Sequence, residues 1–225
     1  LTIHLGLTAA LALTLPLGAL AGAAVAMLAV VALAGRHGGP VTLILAGLAV
    51  SSIAAALVSL ALNLSQNPFA IVEMVFWMMG SLADRSLPQV WLAAPFMLAG
   101  MALLLALGRA LDALTLGEDA ARSLGISLDR TRLLVVAGTA LSVGAATAVT
   151  GIIGFVGLIV PHALRSFAGH RPGLLLPASM LGGAAMLLLA DVALRLVQPW
   201  VELRIGVLTA LLGAPFFAWL VLRTR

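Results

Sequence analysis

Six long apolar runs, separated by short links that carry arginine, constrain this chain more than any other feature. They lie at about 8–34, 41–64, 88–108, 133–160, 174–194 and 205–222. A helix needs about 20 apolar residues to cross roughly 30 Å of hydrocarbon, and every run except the fourth reads as one such span. The chain is 63% hydrophobic and 9% charged, whereas soluble domains carry about a quarter charged residues. No soluble fold hides that much apolar surface, so lipid is the solvent. The fold class that follows is all-α, a polytopic transmembrane helical bundle.

Arginine placement orients the spans, because short loops rich in Lys and Arg stay in the cytoplasm. The net charge of +4 rests on twelve basic residues, all of them arginine. Four clusters hold nine: Arg36; Arg109, Arg122, Arg130 and Arg132; Arg165 and Arg171; Arg223 and Arg225. With these inside, Arg85, Arg195 and Arg204 face outside. No basic stretch is interleaved with aromatics, so the charge reports topology, and no nucleic-acid partner is expected. The stretch from Leu133 to Leu164 must leave and return within 32 residues, too few for two full helices. A full helix to about Val149 is expected there. A shorter segment would run from Gly151 to Pro161, of the kind tolerated only inside protein or beside a cavity. The count is about seven crossings, N-terminal end outside and C-terminus cytoplasmic. Leu1 is not an initiator Met and no basic n-region precedes the first run, so a signal peptide is not expected. A fragment lacking upstream helices is.

Between the second and third runs, Asn63, Ser65, Gln66, Asn67 and Glu73 make the start of 65–85 too polar for a span. Phe69, Val72, Phe76 and Trp77 still recur near helical spacing. An external interfacial helix ending at Gly80 is expected, either as a lipid-surface anchor or as a gate at the outer mouth.

The most informative polar segment is Thr115 to Gly125, TLGEDAARSLG. Thr115 and Glu118 stand at capping-box spacing, acidic residues suit a helix start, and Gly125 can end the helix left-handed. Leu116, Ala120, Ala121 and Leu124 make a small apolar face, which either docks a partner or packs on its own domain. Small residues cluster at Gly18–Ala23, Ala46–Ser52, Gly138–Thr147 and Gly182–Ala184, a pattern that lets helices approach closely. Ser51, Ser52, Ser59 and Asn63 partly share a face of the second run and are candidates for a pathway lining. Asp191 and Arg195, at i,i+4, form either a local pair or a site for an acidic external partner. His4, His37, His162 and His170 lack neighbours at ligand spacing, and there is no cysteine, so no metal or cofactor is expected. Without lysine the chain holds no phosphate-binding loop and is no ATPase. It also lacks a nucleophile–base set, so no enzyme activity is expected. An ion-coupled secondary transporter is the alternative, although such proteins place ionisable residues deep in their spans.

These residues resemble the FecCD-type permeases, the membrane subunits of type II ABC importers for iron-siderophores, haem and cobalamin. The run GIIGFVGLIVPHALR from Gly151 to Arg165 resembles the family signature. Leu45–Ala49 resembles the start of its pore helix and Trp77–Ser81 its external helix. Leu114–Gly125 resembles the coupling loop and Gly206–Phe217 the last helix. The resemblance implies a single transmembrane permease domain over 1–225, seven helices of a ten-helix fold, with a cytoplasmic coupling loop at about 109–131. It implies three kinds of partner in the inner membrane: a cytoplasmic ATP-binding subunit, a periplasmic substrate-binding protein and a second permease copy, as homodimer or heterodimer. On it, Gly117, Glu118, Ala120, Leu124 and Gly125 contact the ATPase, Arg195 contacts the binding protein, and the helix from about Val41 to Asn63 lines the pathway. His162 and Arg165 take a structural role. Where the family has Glu-Leu-Pro before the last helix, this chain has Glu202, Leu203 and Arg204.

Overall fold

The computed structural model describes residues 14–35, 39–83, 85–169, 171–197 and 203–223. Expectations on His4, Arg36, His37, His170, Glu202 and Arg225, and on the side chain of Arg223, lie outside the described residues. The described chain is helical: α1 (Thr14–Ala34), α2 (Pro40–Leu64), α3 (Pro68–Met79), α4 (Leu87–Ala106), α5 (Gly108–Leu114), α6 (Glu118–Ser123), α7 (Leu128–Thr150), α8 (Val156–Leu164), α9 (Pro172–Val197) and α10 (Ile205–Arg223).

Helix starts follow local chemistry. Asn67 caps α3 by accepting the Phe69 N–H at 3.0 Å, with Pro68 in the first turn, where a missing donor costs nothing. Gln89 reaches back from α4 to accept the Ser86 N–H at 3.1 Å. A short helix is present where an interfacial one was expected, and it stops at Gly80 (φ 61). The fourth apolar run divides as its length requires. Helix α7 ends at Thr150, residues 151–155 turn, and α8 contributes nine residues, a rise of about 13 Å at ~1.5 Å per residue.

Five of these helices (α1, α2, α4, α7 and α9) are long and apolar enough to cross a membrane. The expected count was seven. Helix α8, at nine residues, is too short to span by itself, whereas α10 runs for 19 residues.

Helix α7 is the hub. It packs antiparallel to α4, and α1 lies beside them both. Small residues set these distances: Gly100 sits against Gly138 and Ser142, and a methyl group on Gly138 would come within 2.9 Å of Leu104. Likewise Gly144 faces Ala23, and Gly182 of α9 receives Val160 and Leu164 of α8. Gly22 and Gly47, by contrast, meet nothing within 4 Å. The buried interior is small, one cluster at Ala93, Ala145 and Val149 and another at Ala190, Leu194 and Ile205. Leu28, Leu48, Leu181 and Leu189 are more than half exposed, as suits a surface solvated by lipid.

The antiparallel order gives the bundle two ends. One gathers the last turn of α1, the first turn of α2, α5, α6, the start of α7 and the start of α9, together with Arg109, Arg122, Arg130, Arg132, Arg165 and Arg171. The opposite end gathers α3, the 151–155 turn and the start of α10, with Arg85, Arg195 and Arg204. Every described arginine thus falls where the loop-charge argument grouped it.

Candidate functional site

At the arginine-rich end, α5 and α6 form a hairpin beyond the crossing helices. Thr115 Oγ1 donates to the Asp112 carbonyl at 2.7 Å and closes the last turn of α5. The expected capping box therefore does not form. Gly117 stands at the N-cap instead, at φ 103 and ψ 158, a region essentially restricted to glycine. At the far end of α6, Gly125 (φ 81) donates to the Arg122 carbonyl at 2.9 Å and Ile126 to Ala121 at 3.0 Å, the paired bonds of a Schellman stop.

The expected apolar face of this helix is divided. Ala121 is 0% exposed, while Leu116 and Leu124 stand 69% and 64% exposed. Ala120 is half-buried, and Gly117 and Gly125 lie on the surface. Arg122 pairs with Asp119 at 2.9 Å and with Glu118 at 3.6 Å, exposed pairs worth at most about 1 kcal/mol. Glu118 also accepts a 2.6 Å bond from Arg132 Nη2, and the Arg132 side chain is only 20% exposed. Asp112 Oδ1 accepts the Gly173 N–H at 2.7 Å, where α5 meets the first turn of α9. Between the last turn of α1, the first of α2 and the start of α7 lies a cavity of about 630 Å³. It is lined by Val31, Gly35, Leu43, Asp129, Arg130 and Arg132 among others.

At the opposite end three glycines allow a close junction. Gly80, Gly151 and Gly206 each lack room for a side chain, because the carbonyls of Trp77, Met79 and Ile152 occupy it. Ser81 donates to the Thr150 carbonyl at 2.7 Å and Ile152 to that of Trp77 at 3.2 Å. Arg204, where the family pattern has proline, lies 4.7 Å over the Phe76 ring, and Arg85 lies 5.4 Å from Trp77. Both cations thus hold the aromatic side of α3. Asp191 and Arg195 form a 2.7 Å pair, with Arg195 62% exposed.

Ser51, Ser52, Ser59 and Asn63 are all exposed on α2. Ser52 donates to the Leu48 carbonyl at 2.9 Å and Asn63 to that of Ser59 at 3.0 Å. His162 is exposed beside the edge of Phe216, 5.7 Å between ring centres.

Sequence reasoning missed Asp112, the Arg132 contact and Phe155. Phe155 adopts φ 66 at the head of α8, and its ring packs on Gly213 and lies 6.2 Å from Phe217.

The sequence model of the FecCD transport family matches residues 1–223. The chain belongs to the FecCD transport family. Among its relatives is the Fe(3+) dicitrate transport system permease protein FecD of Escherichia coli (strain K12), 42% identical over 95% of this chain and 66% of that protein. The vitamin B12 import system permease protein BtuC of Escherichia coli O9:H4 (strain HS) is 42% identical over 94% of this chain and 64% of its own length. The hemin transport system permease protein HmuU of Yersinia pestis is 38% identical over 84% and 56%. A solved metal-chelate type ABC transporter in an inward-facing conformation superposes with a TM-score of 0.76 at 37% identity, covering 82% of this chain and 60% of that one. This FecCD chain thus spans between about half and two thirds of the length of the curated relatives it matches. The all-helical permease fold and the multi-pass character of the FecCD family are therefore its own.

Proposed function

We propose that this chain is the permease subunit of an ABC importer carrying an iron-siderophore, haem or cobalamin across a bacterial inner membrane. Its relatives' names supply the substrate class: ferric dicitrate, vitamin B12 and hemin. Hydrolysis of ATP belongs to a separate subunit, and the permease itself performs no chemistry. In this reading residues 1–225 are one transmembrane domain, 109–131 is the coupling segment, and the arginine-rich end and C-terminus are cytoplasmic.

One observation carries the reading. Helix α6 stands beyond the crossing helices with Leu116 and Leu124 exposed, while Ala121 and the Schellman stop hold its other side. An apolar knob on a braced base, at the cytoplasmic end, suits a cleft on an ATPase subunit, with Gly117, Glu118, Ala120, Leu124 and Gly125 at or beside the contact. Arg195, exposed at the other end, suits an acidic residue of a periplasmic binding protein. The exposed stripe of Ser51, Ser52, Ser59 and Asn63 suits a pathway completed by a second permease copy. Transport then needs two packings of the bundle with different contacts to the partners, interconverted by the ATPase cycle.

The competing ion-coupled transporter needs ionisable groups deep in the spans. Asp191 would be its carboxylate, and it lies near the end of α9, already paired with Arg195. The test is uptake and ATPase co-purification with Leu124→Arg, a change on an exposed residue. Loss of both, with normal membrane insertion, is the expected result. Full uptake with no bound ATPase would favour the secondary transporter.

A further inference from the structure

We propose that Arg132 and Asp112 are positioning residues of the transport cycle, each handing the displacement of the α5–α6 hairpin to a different crossing helix. The inference rests on the importer reading above and gives Glu118, at the edge of the docking surface, a second role in the transmission behind it.

Among the described residues, polar contacts tie the hairpin to the bundle at two places. Glu118, the first residue of α6, holds Arg132 of α7 at 2.6 Å across 14 residues of chain. Asp112, on α5, holds the Gly173 N–H of α9 at 2.7 Å across 61 residues. The helices so reached are the two that organise the rest. Helix α7 carries α1 and α4, and α9 carries α8.

The apolar contact at Ala121 resists compression when a partner pushes on α6, yet offers little against separation, since dispersion falls off within an ångström or so. A short charge-assisted hydrogen bond resists separation as well. A cycle that must drive the bundle both ways needs such links. Arg132 is four-fifths buried, so its bond to Glu118 joins largely desolvated charges, and parting them is costly. At the second contact the acceptor is one carboxylate oxygen facing a backbone N–H at a helix start, where negative charge is favoured. Gly173 admits it closely, because a side chain there would sit 2.7 Å from the other oxygen.

The test uses the complete permease with its ATPase subunit in proteoliposomes, with iron-labelled ferric dicitrate, haemin and cyanocobalamin as probes and ATP hydrolysis measured alongside. Glu118→Arg and Arg132→Glu should each lower uptake about tenfold, an ordinary coupling energy, and Arg132→Glu, which lies off the docking surface, should keep the ATPase bound and hydrolysing. The double exchange should return uptake to within about threefold, since the pair is rebuilt with its charges reversed. A second measurement is independent of folding. Residues 1–225 contain no cysteine, so on a permease background freed of any other cysteine Glu118→Cys with Arg132→Cys offers one bridgeable pair; uptake lost in that variant should return when a short bis-thiosulfonate joins the two. For the other strut, Asp112→Asn preserves the accepting oxygen and should keep uptake, whereas Asp112→Leu should not. Full uptake in the single variants, or no recovery by exchange or bridge while hydrolysis continues, overturns the Arg132 strut. Equal behaviour of Asn and Leu at 112 overturns the Asp112 strut. A wild-type complex without ATP-driven uptake overturns the importer reading and this proposal with it, and that outcome is told apart because no variant enters it.

Discussion

Replacing Gly151 with alanine separates backbone strain from packing at the junction of α3, α7 and α10. Gly151 has φ 75 and ψ −167, and Gly117 has φ 103 and ψ 158. Both conformations are essentially glycine-only and cost an alanine about 1–3 kcal/mol. The two sites differ in what surrounds them. At Gly117 an added methyl group meets nothing within 4 Å. At Gly151 it overlaps the Trp77 carbonyl oxygen and comes within 3.2 Å of Gly80 Cα and 3.3 Å of the Trp77 carbonyl carbon. That carbonyl also accepts the Ile152 N–H at 3.2 Å, so relieving the overlap strains a bond worth about 1 kcal/mol. Gly151→Ala should therefore destabilise by about 2–4 kcal/mol in all, roughly 30- to 900-fold in an equilibrium constant. Gly117→Ala should cost the backbone share or less, and Gly154→Ala, with ordinary φ and open space, close to nothing. Thermal unfolding of the detergent-purified chain, followed by tryptophan fluorescence, should rank Gly151→Ala lowest and Gly154→Ala level with wild type. A Gly151→Ala melting point no lower than that of Gly117→Ala would refute the packing argument.

Two further changes test the surfaces assigned to partners. Ala121→Leu forces a larger side chain into a site with 0% exposure, which should cost about 1–3 kcal/mol; it should also weaken ATPase co-purification by tilting α6, whereas an unshifted melting point with normal co-purification would count against the buried brace. Arg195→Ala strands the Asp191 carboxylate, which is only 20% exposed, and should cost about 1–3 kcal/mol, whereas Arg195→Ala with Asp191→Asn should restore thermal stability and still lose stimulation of ATP hydrolysis by the binding protein; retained stimulation would remove Arg195 from that interface.

The crossing helices were legible because an apolar run is a physical requirement of lipid. The break before α8 was equally legible, since 32 residues cannot make two full spans. Helix α3 showed itself through aromatic spacing and a polar start. Less could be read where tertiary geometry chooses among local options. Thr115 and Glu118 had the spacing of a capping box, but Thr115 was already engaged with the Asp112 carbonyl, and Gly117 left Glu118 free to meet Arg132. A six-residue helix is too short for periodicity to say which of Leu116, Ala121 and Leu124 turns inward. No sequence rule brings Asp112 to Gly173, because that contact exists only once α5 has folded onto α9. Phe155 runs against expectation outright, since glycines at 154 and 157 flank it and either would suit a left-handed turn. Its ring, seated on Gly213, supplies the reason. Run length and helix length part company at the glycine-bearing 151–155 segment, which leaves α8 only nine residues.

The account stands or falls on which membrane face presents α6. Ser123 is exposed at its last turn, and on a background freed of any other cysteine Ser123→Cys offers a single labelling site. A membrane-impermeant maleimide should label it in inverted vesicles only, and bound ATPase subunit should block the reaction. Labelling from the outer face of intact cells or spheroplasts would contradict the topology, and no ATPase could then reach Leu116 and Leu124.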